Sequence, residues 1–310
     1  RVYDESIEDY EESILRSPDF PTVHRNLALA YYNVKKLPQR AYEEMEKAFA
    51  LDETDARVYL ELDQLKKRLN VAVKERWSDM EKHFDLVESR DDLYLEYVTL
   101  LNTLGEPEKA LGLIKARKFH QWEGGEGKVA AQYLTALYQL AKAAVEKEDY
   151  AEAKELLLRA VGEYPHNLGE GKLESGQENN LYYLLGLVQE KLGEAKDAFE
   201  SLTRACCGES EPVGMMYYND QPPEMIYYQG LAYRMLGEEE QAVQRFCKLV
   251  DYGKEHIGDE IKIDYFAVSL PDLLIFEENL NERNRKHCLF MMSLGLRGLG
   301  QTDEAKACAE

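Results

Sequence analysis

Two stretches of the chain repeat one arrangement of small residues, and this spacing restricts the fold more than any other feature of the sequence. Gly186 is followed by Gly193 seven positions later and by Ala198 twelve positions later, and the stretch from Gly230 to Ala242 repeats this order. A glycine lets one helix approach another closely, and an alanine on the second helix accepts that approach. The middle glycine can end the first helix in the left-handed conformation. The spacing therefore predicts antiparallel helical hairpins.

Further copies of this pattern extend along the chain. Residues 54–89 have the length of two amphipathic helices, but Asp63 occupies the position of the small residue, so this copy is degenerate. The residues that mark the second helix of the other copies are small and carry apolar neighbours at helical spacing: Ser6, Ala41, Ala110, Ala153 and Ala305.

The pattern resembles the tetratricopeptide repeat, a helical hairpin of about 34 residues with small residues at set positions. The resemblance covers nearly all of the chain and implies an all-α fold, an α–α superhelix or solenoid in which the first helices form a concave face. Successive alanines from Ala110 to Ala242 lie 43, 45 and 44 residues apart. We therefore expect long insertions between hairpins, in segments 118–127, 164–180, 208–223 and 251–285, the last with additional helix.

The resemblance predicts one solenoid over residues 1–310. Residues 1–117 would hold near-regular and degenerate repeats, and residues 118–250 repeats with long insertions between hairpins. Residues 251–285 would form a further insertion and residues 286–310 a last, truncated hairpin.

A narrower resemblance lies in residues 117–129, which read Arg-Lys-Phe-His-Gln-Trp-Glu-Gly-Gly-Glu-Gly-Lys-Val. This segment is similar to a signature in the C-terminal repeat region of large bacterial proteins of unknown function. In those proteins a sandwich domain similar to galactose mutarotase precedes the repeats. The resemblance implies that this chain is an accessory region of a carbohydrate-related protein.

The charge of the chain restricts its partners. It has 59 acidic and 38 basic residues, a net charge of −21. Nucleic-acid binding needs a basic face, and an anionic membrane surface would repel this chain, so neither partner is expected. Solubility explains the charge most simply, and attraction of a basic partner is the alternative. Five cysteines, an odd number, do not form a disulfide framework, which favours the cytoplasm.

The motifs of common enzymes are absent from the sequence. It has no H-E-x-x-H, no Cys-x-x-Cys and no G-x-S-x-G. The tetrapeptides at 125–128 and 169–172 both read Gly-Glu-Gly-Lys. A phosphate-binding loop needs a glycine five residues before the second glycine and a Ser or Thr after the lysine, and both tetrapeptides lack these residues. We interpret them as equivalent junctions in successive repeats. The chain is predicted to be non-catalytic, without cofactor or metal.

Aromatic residues recur at one position of the first helices. In the resemblance this position faces the groove, and it is occupied by Tyr138, Tyr183, Tyr227 and Phe290. We expect an exposed binding stripe with an acidic rim that includes Glu190 and Glu224; the alternative is that the rings pack against the next hairpin.

A second candidate site is the loop that carries His120, Trp122 and Glu123. It would contact a ligand or a neighbouring domain; the alternative is that Trp122 covers the apolar seam between hairpins. Three functions remain open. The favoured one is a non-catalytic scaffold that binds a protein segment or a neighbouring domain of the same polypeptide. The others are an accessory domain of a carbohydrate-active enzyme, with a carbohydrate ligand, and a free-standing enzyme, for which the sequence offers no convergent acid/base site.

Overall fold

A computed structural model of the protein describes residues 2–122, 124–172, 177–214, 220–262 and 275–309, and the regular elements in these ranges are helices. The described residues form two compact units. The first contains residues up to Ala110 together with residues 275–278; the second contains the remainder from Leu111 onward. The expectation of one solenoid over residues 1–310 stays a prediction.

The first unit is built of consecutive helices whose starts follow local sequence signals. Pro21 and Pro38 occupy first helical positions, where proline's missing N–H has no cost. The Asp55 side chain accepts hydrogen bonds from the backbone N–H groups of Arg57 and Val58 and caps the fourth helix. The helices are α1 Val2–Arg16, α2 Pro21–Asn33, α3 Pro38–Leu51, α4 Ala56–Arg68, α5 Val73–Lys82, α6 Phe84–Ser89 and α7 Asp91–Thr103; the boundary between the units falls within α8, Pro107–Ala116.

The degenerate copy contains three helices, α4 to α6, where the sequence analysis expected two. Its core holds a buried ion pair in place of a small-residue contact. Arg76 of α5 donates to both carboxylate oxygens of Asp63 of α4, at 3.0 and 2.6 Å, and to Glu96 of α7 at 2.7 Å. Burial raises the pKa of the Asp63 carboxyl against the opposing effect of Arg76. The position that departs from the repeat pattern is thus occupied by a paired charge.

The second unit contains four successive hairpins. The expected 251–285 insertion is shorter at both ends, because the second helix of the third hairpin runs to His256 and the next helix begins at Leu280. Residues 263–274, where additional helix was expected, lie outside the described residues. The helices are α9 Lys128–Glu146, α10 Tyr150–Val161, α11 Asn179–Lys191, α12 Ala195–Ala205, α13 Pro223–Met235, α14 Glu239–His256, α15 Leu280–Gly298 and α16 Thr302–Ala309, with a 3-10 turn at His166–Leu168.

The glycine–alanine spacing produces the hairpins as predicted. A Cβ atom on Gly186 of α11 would lie 2.7 Å from Leu202 Cγ of α12, and Ala198 of α12 is buried. Gly193 and Gly237 follow the first helices of their hairpins with φ of +78° and +81°, which favours glycine. The all-α fold of helical hairpins is confirmed.

Asparagine side chains close the C-terminal ends of the second helices. Asn179 at the start of α11 donates to the carbonyls of Ala205 and Cys207 at the end of α12, at 2.8 and 2.7 Å. Asn284 of α15 donates to the carbonyl of His256 at the end of α14, at 2.7 Å. The last carbonyls of a helix have no partner within the helix, so these amides hold neighbouring helices in register.

Candidate functional site: a tyrosine face on the first helices

The first helices of the second unit share one accessible face. In α11 it consists of Asn180, Tyr183, Leu187 and Glu190, and the equivalent positions in the other first helices follow the same spacing. Every residue at these positions is half-buried or exposed. Of the four predicted aromatics only Phe290 is exposed; the three tyrosines are half-buried, and Tyr183 and Tyr227 also pack against core residues. That this face is a binding stripe stays a prediction. We call this set the tyrosine face: Thr135, Tyr138, Lys142 and Val145 of α9; Asn180, Tyr183, Leu187 and Glu190 of α11; Glu224, Tyr227, Leu231 and Arg234 of α13; His287, Phe290, Leu294 and Arg297 of α15.

The three predicted tyrosines converge on a fourth that the sequence analysis missed, Tyr228. The Tyr138 and Tyr228 hydroxyls share a hydrogen bond of 2.9 Å, although the two residues lie on α9 and α13. The Tyr183 ring lies 5.6 Å from the Tyr228 ring, and the Tyr227 ring lies 5.7 Å from it at an interplanar angle of 69°. Both α11 and α13 carry a Tyr-Tyr pair, but the two pairs are offset by one residue. The residue of α11 equivalent to Tyr228 is Leu184, so the repeat pattern did not point to Tyr228.

The tyrosine hydroxyls are held in their neutral form. Burial raises the pKa of Tyr138, Tyr183 and Tyr227 above the ordinary value for tyrosine. Neutral hydroxyls both donate and accept hydrogen bonds. The cluster therefore combines aromatic area with polar groups that suit a backbone or a hydroxylated ligand.

Cations lie among these rings, in addition to the acids that the sequence analysis expected. The Lys142 ammonium lies 5.8 Å from the Tyr138 ring centre. Arg234 donates to Glu239 and, at 2.8 Å, to the carbonyl of Gly298. Arg297 is exposed, as is Glu190, whereas Glu224 is half-buried. The rim of the tyrosine face carries both signs of charge.

The fourth predicted aromatic, Phe290, differs from the three tyrosines in its exposure to solvent. It is 42% exposed on α15, more than any of the three tyrosines. An exposed phenylalanine on an accessible face contributes apolar area without a hydrogen-bonding group.

The loop site has a different geometry. Trp122 is half-buried, and its ring lies against Gly125, where a Cβ atom would come within 2.2 Å of Trp122 Cε2. His120 is exposed, and Glu123 lies outside the described residues. The residues that line a cavity of about 310 Å³ include His120, Trp122, Glu126 and Glu170. Trp122 thus packs within its own loop and forms one wall of a cavity.

The two Gly-Glu-Gly-Lys junctions contact each other beside this cavity. Glu170 of the second junction accepts a hydrogen bond of 3.0 Å from the backbone N–H of Gly127 in the first, at the start of α9. A carboxylate stabilises the positive end of a helix dipole. The other carboxylate oxygen of Glu170 is buried and, within the described residues, accepts no hydrogen bond.

One segment of the chain matches a family model. Residues 138–212 match the model of the tetratricopeptide repeat. This segment is therefore similar to the tetratricopeptide repeat. The matched segment begins at Tyr138 of the tyrosine face and includes the hairpin of α11 and α12.

Solved structures resemble this chain only at low identity. The APC/C hetero-tetramer Cut9–Hcn1 is 13% identical, with 79% of this chain and 42% of that chain covered and a TM-score of 0.41, so this chain spans less than half of that one. The C-terminal part of a repeat protein from Cytophaga hutchinsonii is 14% identical over 80% and 90% of the two chains, with a TM-score of 0.42. YrrB, described as having an unusual peptide-binding site, is 18% identical over 81% and 95%, with a TM-score of 0.28. TM-scores below 0.5 support no functional conclusion.

Two kinds of feature are absent from the part of the chain that the structure describes. No group of three or more His, Cys, Asp and Glu side chains there is placed to hold a metal ion. None of the described helices combines the length and the apolar composition of a membrane span. The five cysteines are free thiols.

Proposed function

We propose that this chain is a non-catalytic scaffold that binds an extended protein segment on the tyrosine face. The observation that carries the proposal is the convergence of Tyr138, Tyr183 and Tyr227 on Tyr228 at an accessible surface. Tetratricopeptide repeats generally bind protein partners, and stacked repeats supply extended surfaces for them.

The chemistry of the face fits a segment with apolar and basic residues. Tyrosine gives large contact area with little loss of side-chain entropy, and Leu187, Leu231 and Leu294 add half-exposed apolar surface. The net charge of −21 attracts a basic segment at long range. The segment belongs either to another protein or to a neighbouring domain of the same polypeptide, in the cytoplasm.

The test uses peptides selected for binding to the chain. A library of displayed random dodecapeptides is selected on the immobilised protein, and the dissociation constants of the selected peptides are measured by calorimetry. Replacing Tyr138, Tyr183 and Tyr227 together by alanine should weaken binding at least tenfold, about 1.4 kcal/mol, because buried aromatic anchors dominate such interfaces. Equal binding by the triple variant would refute the proposal.

A matched control separates the face from a general loss of tyrosine. Tyr150 is half-buried but lies on α10, a second helix. The Tyr150→Ala variant should bind the selected peptides as the wild type does, and circular dichroism should show unchanged helix content in both variants.

The second candidate function, an accessory domain of a bacterial carbohydrate-active protein, is favoured by the cavity beside Trp122. The cavity is lined by Trp122, whose indole offers a stacking surface, and by Glu126 and Glu170, whose carboxylates offer hydrogen-bond acceptors for a sugar. Titration with galactose should then change the indole fluorescence of the wild type but not of the Trp122→Phe variant. An unchanged wild-type signal at high galactose concentration counts against this function.

A further inference from the structure

A short piece of the chain is bound by the first unit in the manner of a ligand. Residues 275–278 precede α15 in sequence but belong to the same compact unit as α2. Asn33, the last residue of α2, donates from its side-chain Nδ2 to the carbonyl of Ile275 at 2.8 Å. Its Oδ1 accepts from the backbone N–H of Glu277, also at 2.8 Å. One amide side chain thus contacts the backbone on both sides of Phe276.

The side chain between these two hydrogen bonds is the apolar anchor. Phe276 is 1% exposed, and its ring meets the Tyr32 ring edge to face, with the centres 5.0 Å apart and an interplanar angle of 71°. Aromatic pairs favour this arrangement. The site therefore selects an aromatic residue at one position.

The residue that follows the anchor is selected by charge. Lys36 forms an ion pair of 2.6 Å with Glu277, and both side chains are largely exposed. An exposed ion pair contributes little stability, so the phenylalanine and the two backbone hydrogen bonds carry most of the contact. Glu278, the next residue, is exposed.

These contacts make a small, exchangeable interface. It has one fully buried side chain, two hydrogen bonds from a single asparagine and one solvated ion pair. Contacts with few buried apolar groups open at low free-energy cost. A segment of the same chemistry from another chain could make every one of them.

We propose that Tyr32, Asn33 and Lys36 form a recognition site for a phenylalanine followed by an acidic residue, and that residues 275–278 occupy it as an internal ligand which a partner segment of that chemistry displaces. This site lies on α2 and does not depend on the tyrosine face. A partner segment binds only if it competes successfully with residues 275–278 for this site.

The test measures binding of a fluorescein-labelled peptide, Leu-Leu-Ile-Phe-Glu-Glu-Asn, by fluorescence anisotropy with the full chain. The Phe276→Ala chain, whose internal ligand lacks its anchor, should bind this peptide at least about tenfold more tightly than the wild type, because a tethered segment competes at an effective concentration on the order of millimolar. A peptide with alanine in place of its phenylalanine should not bind. Equal affinity of the two chains, or no binding by Phe276→Ala, overturns the proposal.

Two further variants locate the binding. Asn33→Asp keeps the shape of the side chain but removes the Nδ2 donor, so Asn33→Asp combined with Phe276→Ala should lose peptide binding while circular dichroism shows intact helices. Tyr138→Ala combined with Phe276→Ala should bind as Phe276→Ala alone. Retained binding by the Asn33→Asp combination, or lost binding by the folded Tyr138→Ala combination, would contradict the assignment to α2.

Discussion

The buried ring of Phe246 provides a sharp test of how the hairpins pack. It lies on α14 with no solvent exposure, between Gly230 of α13 and Gly298 of α15. A Cβ atom on Gly230 would lie 2.4 Å from Phe246 Cε1, and one on Gly298 would lie 2.2 Å from Phe246 Cδ1. Both glycines lie against the Cδ1 and Cε1 atoms of this ring, and its complete burial leaves it little room to move. The substitution Gly230→Ala would place a methyl group against this ring.

Two opposing effects set the magnitude. In the interior of a helix, alanine is favoured over glycine by about 0.5–1 kcal/mol. An added methyl group in a closely packed core costs about 1–3 kcal/mol. Because the neighbouring ring is confined, we expect the second effect to dominate, so Gly230→Ala should lower the free energy of unfolding by about 1–2 kcal/mol.

A matched glycine supplies the control. Gly112 lies inside α8, and a Cβ atom there would meet nothing within 4 Å. Gly112→Ala should therefore raise the free energy of unfolding by about 0.5–1 kcal/mol. The difference between the two variants isolates the packing cost.

The assay is urea denaturation followed by circular dichroism, with the midpoints compared at unchanged slope. Shortening the ring with Phe246→Leu should reduce the cost of Gly230→Ala, since the shorter side chain leaves room for the methyl group. If Gly230→Ala stabilises the protein as much as Gly112→Ala does, the packing of α13 against α14 does not require a glycine at position 230, and the reasoning is refuted.

Three further expectations concern stability. Arg76→Met should cost about 3–5 kcal/mol in urea denaturation because it leaves Asp63 buried without its partner, whereas the double variant Asp63→Leu with Arg76→Met should recover most of that loss; equal losses in both would contradict this. Burial pushes the pKa of Glu96 up, but Lys67 and Arg76 hold it below the ordinary value, so this carboxylate contributes stability above the ordinary pKa that is lost as the pH falls through the lowered one; melting temperatures between roughly pH 3 and pH 5 should fall less steeply in Glu96→Gln. Ala198→Leu should overpack the contact of α12 with α11 and lower the unfolding free energy by about 1–3 kcal/mol, and an unchanged urea midpoint would count against the repeat alignment.

The two proposed sites would use different modes of recognition. The tyrosine face presents broad aromatic and apolar area with charges of both signs at its rim. The surface of Tyr32, Asn33 and Lys36 makes a few directed contacts around one phenylalanine. A broad face suits a long segment, whereas the small site suits a short motif that must compete with an internal one.

Local spacing in the sequence was sufficient to predict the hairpins. Gly186 contacts Leu202 within one repeat, and Gly193, with its left-handed conformation, ends the first helix of the same repeat. Because these residues are close in sequence, their spacing is enough to predict the hairpin. The common helix position of Tyr138, Tyr183 and Tyr227 could also be read from the spacing, but not that their rings are half-buried.

The tertiary structure alone decided which distant residues meet. Tyr138 and Tyr228 share a hydrogen bond across 90 positions, and Asn33 contacts Ile275 across 242. The helix period specifies the face on which a side chain lies, but not which other face will pack beside it. Which faces pack together depends on the path that the insertions take between hairpins. It also depends on whether each buried polar group finds a hydrogen-bond partner, and both are properties of the assembled fold.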